Sequence, residues 1–403
     1  MKNSEFNTVN SNSIHSTMPV ANENEKGSQG SCTLNNSNTI SNFKTKKSMK
    51  KNTSTFGTKS AFNKALETFS NMMIEKIENM TQDWRKPWFV GGAMAWPRNI
   101  NGREYNGMNA LMLNLFCEKE GFEHPVFGTF DAIMSLNYCE KDGKKTPRTD
   151  KDGNKLPFMC VRKGAKSMPV TFTSFTCIHK QTKERIPYEQ YRKMEQSERE
   201  AYDVFPKLNV YNVFNIAQTN IEEVNKEKFN EILAKASVQL PEMNPNSCTF
   251  EPIDNMISNG TWICPIKPTQ GDNAYYSMSM NEIVVPLKEQ FKDGESFYSN
   301  LLHEMAHSTG SKEYLDRLTR APFGSAEYAT EELVAELTAA LCASRYGMEK
   351  HIKEDSAAYL KNWLGSLRKS PDFIKTVLLD VKKASYIITN KIEAAETEAK
   401  EEV

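Results

Sequence analysis

SNLLHEMAH, at residues 299–307, is the segment that decides the fold of the second half of this chain. It has helical spacing and contains an H-E-x-x-H motif formed by His303, Glu304 and His307. Positions i and i+4 share one face of a helix, so the two imidazoles can converge on one ion. An accidental pair of helical histidines is the alternative, but the chain has only six histidines. The motif therefore predicts a metal centre on a helix.

Neutral imidazoles at this spacing suit zinc, which a catalytic site holds with three protein ligands and one open position for water. Zinc lowers the pKa of its water to roughly 7 and so provides a nucleophile at neutral pH. Glu304 follows the first histidine and is placed to accept a proton from that water and later to deliver it to a leaving group. We predict one zinc ion bound by His303 and His307, with Glu304 as the general base of a peptidase.

The third ligand is expected from a second helix, which starts after Ser325 and carries three carboxylates among apolar residues. Carboxylates on a mostly buried helix need partners, and a metal ion is one such partner. Glu332 and Glu336 are four residues apart and share a face. We predict that Glu332 binds the zinc and that Glu336 orients a ligand histidine. A role for Glu331 as ligand, and the reversed assignment, stay open because spacing does not separate them.

Upstream of the motif, Tyr275, Tyr276 and the segment NEIVVP at 281–286 have the pattern of an edge strand closed by a proline. A peptide substrate could add to such an edge as a further strand. Either tyrosine could donate a hydrogen bond to a developing oxyanion. The alternative is a plain sheet edge with no part in catalysis.

The bulk composition limits the class of protein. The chain has 403 residues with 51 basic and 51 acidic side chains, so its overall charge favours neither nucleic acid nor membrane. Its eight cysteines include no C-x-x-C pair, which is typical of reduced thiols in a cytosolic protein. No apolar run approaches the roughly 18 residues of a membrane span, and the first residues contain no apolar signal segment. We predict a cytoplasmic protein.

The first half carries a local basic excess. Nine lysines and arginines lie between Lys141 and Lys166, against three aspartates. Tryptophans and other aromatic residues occur in the same half, and cations with aromatic rings are what single-stranded nucleic acid requires. The alternative is a solvated lysine-rich loop beside ordinary core aromatics.

Ordered motifs in both halves resemble those of the ArdC antirestriction proteins of mobile genetic elements. In the first half they are WRKPW at 84–88, YNGMN at 105–109, FGTF at 127–130, VRKG at 161–164 and VFN at 213–215. In the second half they are YY at 275–276, LHEMAHSTG at 302–310, RL at 317–318, FGS at 323–325 and YATEELVAEL at 328–337. Together they cover most of residues 61–390.

The resemblance implies an N-terminal domain that binds single-stranded DNA and a C-terminal zincin-like metallopeptidase domain of gluzincin type. It also implies a role in protecting incoming plasmid or transposon DNA from host restriction. Within the motifs and the basic segment we predict DNA contacts from six residues: Trp88, Tyr105, Asn109, Arg162, Lys163 and Lys166.

These inferences combine into a two-domain α+β protein. We expect a polar tail at 1–60, the DNA-binding domain at 61–220, a connecting helix or linker at 221–245, the zincin-like domain at 246–392 and an acidic tail at 393–403. The expected substrate is a peptide or protein. The competing hypotheses are a DNA-binding protector with a structural or vestigial zinc site, and a peptidase that has no role with DNA.

Overall fold

Helices dominate the C-terminal half of the chain, whereas most strand residues belong to the N-terminal half. The computed structural model describes residues 55–82, 88, 96–141, 144–237, 249–322, 324–348, 350, 359–369 and 371–401. The helices of the described chain are α1 (Thr55–Gln82), α2 (Met108–Glu120), α3 (Phe130–Ser135), α4 (Tyr188–Lys193), α5 (Gln196–Arg199), α6 (Ile221–Val224), α7 (Lys226–Ala236), α8 (Glu251–Asn259), α9 (Gly294–Ser308), α10 (Ala326–Arg345), α11 (Leu360–Lys369) and α12 (Pro371–Glu401).

The strands form three sheets. Their bounds are β1 (Arg98–Asn99), β2 (Val126–Thr129), β3 (Tyr138–Lys141), β4 (Lys144–Pro147), β5 (Met168–His179), β6 (Arg185–Ile186), β7 (Tyr202–Asn215), β8 (Ile266–Thr269), β9 (Tyr275–Ser277) and β10 (Glu282–Pro286). The largest sheet has the order β1-β2-β7-β5-β6, and β5 pairs with β7 from Met168↔Val213 to His179↔Tyr202. Both α2 and α4 contact strand β5 of this long antiparallel ribbon.

The small sheet of the C-terminal half has the order β8-β10-β9. We predicted an edge strand from residues 281–286, and this prediction is wrong. The strand β10 lies in the centre, because it pairs in parallel with β8 and antiparallel with β9. Pro286 is tolerated there because β9 pairs with β10 only as far as Val284, so the missing N–H of the proline faces no partner strand. The edge is β9, which carries Tyr275 and Tyr276.

Two hydrophobic clusters hold α9, α10 and the elements around them. One joins α1, α2 and the sheet of the N-terminal half to α10, α11 and α12, through residues such as Phe69, Leu113, Leu337 and Trp363. The other packs α8, β9, β10 and α9 against α10 and the later part of α12. Both halves of the chain therefore share a core, and the described residues from 55 onward belong to one compact unit.

Some of the predicted domain bounds fall within helices, and others fall outside the described residues. Residues 1–54 of the predicted polar tail lie outside the described residues, while 55–60 already belong to α1. The predicted linker comprises α6 and α7, and its residues 238–245 are not described. The predicted acidic tail is helical through Glu401 as the end of α12. Among the described residues, no helix has the length and apolar character that a bilayer crossing requires.

Candidate metal centre

The helix α9 buries its H-E-x-x-H motif. It begins after Asp293, whose side chain accepts a hydrogen bond from the backbone N–H of Ser296 at 2.7 Å and so caps the first turn. Its last turns carry His303 and Glu304, which are only 1% and 2% exposed, and the partly buried His307. Ionisable groups at this depth are costly unless they are paired. Their partners come from α10, which packs directly against α9.

Three potential ligand atoms converge between these helices. The Nε2 atoms of His303 and His307 are 3.1 Å apart. The carboxylate of Glu332 lies 3.4 Å from Nε2 of His303 and 3.6 Å from Nε2 of His307. Ligands that each lie 2.0–2.1 Å from a tetrahedral zinc ion are separated by roughly 3.4 Å. The three residues therefore lie close enough to share a divalent metal ion.

The other ring nitrogen of His303 faces a second carboxylate. Its Nδ1 lies 3.3 Å from Oε1 of Glu336, which is completely buried. The opposite oxygen of Glu336 accepts a hydrogen bond from Nε1 of Trp88 at 3.2 Å and pairs with Nζ of Lys350 at 3.0 Å. Burial alone would raise the pKa of Glu336, but the charges of Lys350 and His303 hold it well below its usual value. Glu336 is thus a fixed anion behind the His303 ring.

His307 has a corresponding partner. Its Nδ1 lies 3.0 Å from Oε1 of Glu331, and Arg317 donates to both oxygens of Glu331 at 2.9 Å. The same guanidinium donates to Oγ1 of Thr309 and to the carbonyl of Ala306. Burial opposes the ionised form of Glu331, but Arg317 and His307 lower its pKa. Arg317 therefore ties the end of α9 to the carboxylate that faces His307.

Gly310 allows Arg317 to lie this close. A Cβ atom on Gly310 would be 2.8 Å from Cγ of Leu318 and 3.0 Å from Cγ and Cζ of Arg317. Contacts of this length require the neighbours to move. Gly310 therefore leaves room for Arg317, which contacts Glu331.

Without a metal ion, the carboxylates around His303 favour its protonated form. Burial, the largest single influence, lowers the pKa of His303, but hydrogen bonds to Glu332 and Glu336 and the charges of Glu336 and Glu304 raise it to about 9. In the metal-free protein, His303 therefore holds a proton beside the carboxylates of Glu304, Glu332 and Glu336. This preference for a cation is what a divalent metal site requires.

Glu304 and Tyr328 belong to the same centre. Burial raises the pKa of Tyr328, and so do the charge of Glu332, a hydrogen bond to Glu332 and the charge of Glu304. Tyr328 therefore keeps its proton and directs it toward the carboxylate of Glu332. We did not predict this residue, although a tyrosine four positions before Glu332 shares its helix face and so could have indicated it.

We predicted Tyr275 or Tyr276 as the donor to a developing oxyanion, and both lie in the β9–β10 hairpin. Tyr276 is buried, and its hydroxyl donates to Oδ1 of Asn281 at 2.8 Å. Burial raises its pKa to about 12. Tyr275 is 48% exposed on the edge strand. The hydroxyl of Tyr276 is thus engaged within its own hairpin, whereas Tyr275 faces solvent.

The six residues that we predicted to contact DNA fall into two groups. Three of them have structural roles. Trp88 is completely buried, so the prediction that its ring stacks on bases is wrong. Tyr105 packs edge-on against Phe127, and the side chain of Asn109 is occupied by two bonds to the backbone of Thr171.

The other three lie on the surface. Arg162, Lys163 and Lys166 are exposed in one loop before β5. Arg162 also forms an ion pair with Glu223 at 2.7 Å, so part of its charge is already neutralised within the protein. This loop remains a candidate for contacts to phosphate.

Two family models match the chain. Residues 63–214 match the N-terminal domain of the anti-restriction factor ArdC, and residues 260–377 match a zincin-like metallopeptidase. The chain is similar to two solved structures of the antirestriction protein ArdC from plasmid R388, one metal-free and one Mn(II)-bound. Each match has 23% sequence identity and a TM-score of 0.54. The match covers 82% and 81% of this chain, and 98% and 97% of those chains. At this identity the likeness concerns the fold, and it confirms the predicted two-domain α+β class.

Curated relatives include protein y4eC of Sinorhizobium fredii, which is 28% identical over 312 residues. This alignment covers 77% of this chain and 86% of y4eC. Two Escherichia coli proteins named DNA primase TraC are 24% and 26% identical over 323 and 326 residues. Each alignment covers 79% of this chain but only 26% and 19% of the respective primase. The shared region is therefore a module within those longer proteins.

Proposed function

Since this chain belongs to the ArdC-like family, with an ArdC N-terminal domain joined to a zincin-like metallopeptidase domain, we propose that it is a cytoplasmic antirestriction protein that binds single-stranded DNA and hydrolyses peptide bonds. In this proposal His303, His307 and Glu332 hold one zinc ion. The observation that carries it is the convergence of two Nε2 atoms and one carboxylate at 3.1–3.6 Å. The donor set of two imidazoles and one carboxylate is that of many catalytic zinc sites.

The outer carboxylates support the assignment of the ligands. A histidine that binds a metal through Nε2 carries its proton on Nδ1, where a carboxylate can accept it. Glu336 faces Nδ1 of His303, and Glu331 faces Nδ1 of His307. This leaves Glu332, which faces both Nε2 atoms, as the third ligand. Glu331 and Glu336 then orient the two histidines.

The chemistry follows from the residues at this centre. A bound zinc ion would polarise a substrate carbonyl and make a water molecule acidic. Glu304 takes the proton of that water and delivers it to the leaving amine. Its burial keeps bulk water away from this transfer. If the hydroxyl of Tyr328 turns its one proton from Glu332 toward the substrate, it can donate a hydrogen bond to charge that develops on the carbonyl oxygen, which is the role that we had assigned to Tyr275 or Tyr276.

Replacing Glu304 with Gln tests the enzymatic part. We expect the variant to bind one zinc ion per chain, measured by elemental analysis, and to lose at least 100-fold in hydrolysis of labelled casein, the lower end of about 10²–10⁴-fold for general-base catalysis. Glu327→Gln is the matched control, because Glu327 lies exposed in the first turn of α10. Casein hydrolysis that persists in Glu304→Gln would contradict the mechanism.

The same variant separates the two functional hypotheses in cells. Transfer of unmodified plasmid DNA into a restricting host measures protection. If Glu304→Gln protects the plasmid as well as the parent protein does, proteolysis is not the source of protection, and the hypothesis of a DNA-binding protector with a structural zinc site replaces the proposal.

A further inference from the structure

A basic cleft in the N-terminal half is formed where the β3–β4 hairpin meets the segment that follows it. We define it by five residues that line it: Tyr138, Arg148, Lys155, Leu156 and Phe158. Its volume of about 190 Å³ is below the roughly 300–1,000 Å³ of sites that enclose drug-sized ligands, so it has room for a single ring and little more.

The apolar side chains of the basic cleft face solvent. Tyr138, Leu156 and Phe158 are 42%, 39% and 49% exposed. Large apolar groups that cluster around a depression at this exposure mark an interaction site more often than scattered single residues do. Two of the three are aromatic rings and can therefore stack on a flat ligand.

Positive charge surrounds these rings. Lys144, Lys145, Lys151 and Lys155 are exposed, and neither they nor Arg148 form an ion pair with any residue that the structure describes. Asp150 forms no ion pair with these cations among the described residues, and its carboxylate accepts hydrogen bonds from Asp152 and Asn154 in its own turn. From residue 144 to 158 the segment carries five basic and two acidic residues, so an anionic ligand meets a net positive surface here.

The basic cleft is held in shape by two side-chain amide groups. Asn137 donates to the carbonyl of Met159 and accepts from its N–H, both at 2.8 Å, which joins the hairpin to the following segment. On the other side, Asn220 donates to the carbonyl of Phe158 at 2.9 Å. These bonds fix the backbone under the exposed rings, so ligand binding does not need to order it first.

We propose that this basic cleft binds unpaired bases of single-stranded nucleic acid, with Tyr138 and Phe158 stacking on bases and Arg148 and Lys155 contacting phosphates. The inference rests on the proposed DNA-binding function and assigns a surface to it. Rings with surrounding cations are the combination that single strands select, whereas duplex DNA hides its base faces. An acidic peptide would use the cations but has no need of the rings.

A second aromatic surface serves as an internal comparison. One face of the β5–β7 ribbon exposes Phe172, Phe205 and Tyr211. Its strands carry few charged residues, with Lys207 offset by Asp203. Apart from Arg103, whose guanidinium lies 5.7 Å from the centre of the Phe172 ring, these rings have little positive charge beside them, and the ribbon is therefore less favourable to a phosphate backbone than the basic cleft.

The test measures binding of a fluorescein-labelled oligothymidylate to the full chain by anisotropy over a range of salt concentrations. We expect Phe158→Ala to weaken binding by roughly 5- to 150-fold, the effect of losing one base–ring stack, with the salt dependence unchanged. We expect Arg148→Ala/Lys155→Ala to reduce the slope of log K against log salt by about 1.4, which corresponds to two lost contacts with phosphate of a single strand. Phe205→Ala is the matched control, because it removes an equally exposed ring from the ribbon.

The outcomes separate the inference from the proposed function. If the parent protein does not bind the oligonucleotide, both fail. If the parent binds and the Phe158 and Arg148/Lys155 variants bind equally well, DNA binding stands and the assignment to the basic cleft is wrong. The assignment is also wrong if Phe205→Ala weakens binding as much as Phe158→Ala, or if polyglutamate displaces the oligonucleotide at an equal concentration of negative charge. Because the variants change exposed side chains, we expect thermal unfolding to match that of the parent.

Discussion

The two histidines of the H-E-x-x-H motif are held in different surroundings. The side chain of His303 is 1% exposed and faces Glu336, whose carboxylate is completely enclosed with Lys350 and Trp88. The side chain of His307 is 13% exposed and faces Glu331, which shares a more open site with Arg317. Both histidines thus have a carboxylate with a cation behind it. The two sides differ in how deeply the carboxylate and its cation are buried, and in which parts of the chain supply them.

The difference shows that one motif can depend on both local and remote parts of a chain. The His307 side is assembled within α9, α10 and the loop that joins them. The His303 side uses Lys350, which lies beyond α10, and Trp88, which lies within the region that matches the ArdC N-terminal domain. A metallopeptidase domain cut free of the first half would lose a donor to Glu336. If this difference matters energetically, equivalent substitutions on the two sides should change stability by different amounts.

Replacing Glu336 with Gln should give the largest effect. The substitution keeps the shape but removes the charge that faces buried Lys350 and His303, and breaking a buried ion pair costs about 3–5 kcal/mol of stability. Zinc affinity should fall by roughly 10- to 100-fold, as for other groups that orient metal ligands. Urea unfolding of the metal-free protein and competition with a chromogenic chelator measure the two quantities.

The matched variant is Glu331→Gln, which changes the more exposed carboxylate on the His307 side. It should weaken zinc binding to a similar degree but cost clearly less stability, because solvent screens Arg317 better than it screens Lys350. Equal losses of stability in the two variants would contradict the distinction between a buried side and an open side.

Proton linkage should give the next largest effect, and it belongs to the His303 side. Zinc needs the neutral imidazole, whereas without metal the pKa of His303 is raised to about 9. Zinc binding at neutral pH should therefore release about one proton from this residue, and affinity should rise roughly tenfold per pH unit until the pH reaches about 9. Calorimetry in buffers of different ionisation enthalpy counts the protons.

The same shift has a consequence for the metal-free protein. Because the folded pKa of His303 lies above the ordinary value of 6.5, its contribution to stability is fully present below about pH 6.5 and is lost as the pH rises through 9. In Glu336→Gln the pKa should move down, so both the zinc affinity and this stability term should level off at lower pH. An unchanged pH profile in that variant would rule out Glu336 as a cause of the shift.

Arg317→Lys should give a moderate effect, confined to the His307 side. Lysine keeps the charge but cannot donate to both oxygens of Glu331 while also reaching Thr309 and Ala306. We expect zinc affinity to fall by about tenfold, with proton release from His303 unchanged. Gly310→Ala should produce a similar loss by displacing the guanidinium. If Gly310→Ala binds zinc like the parent protein, the close contact with Arg317 is not required for the site.

The sequence predicted a large part of this arrangement because much of it is local. The helical register of α9 brings His303 and His307 to one face, and the motif order identifies the family and the α+β class. The choice among Glu331, Glu332 and Glu336 depends on how α9 and α10 cross, which spacing does not encode. Trp88 was assigned to the surface because tryptophans in an irregular segment form no periodic pattern that reveals which of them is buried.

Trp88→Phe should give the smallest effect and is the most direct test of the link between the two halves. The ring remains buried, but Glu336 loses one of its donors while Lys350 keeps the carboxylate ionised. We expect zinc affinity to fall by only a few-fold, since Trp88 acts on the ligand His303 indirectly, through Glu336. Trp363→Phe is the matched control, because Trp363 is equally buried in the same core and its indole N–H donates to the backbone carbonyl of Ala329. Both variants should lose similar stability, whereas only Trp88→Phe should change zinc affinity and lower the pH at which it levels off. A loss of zinc affinity in both variants, or in neither, would mean that Trp88 merely fills the core, and the metal centre would then be independent of the N-terminal half.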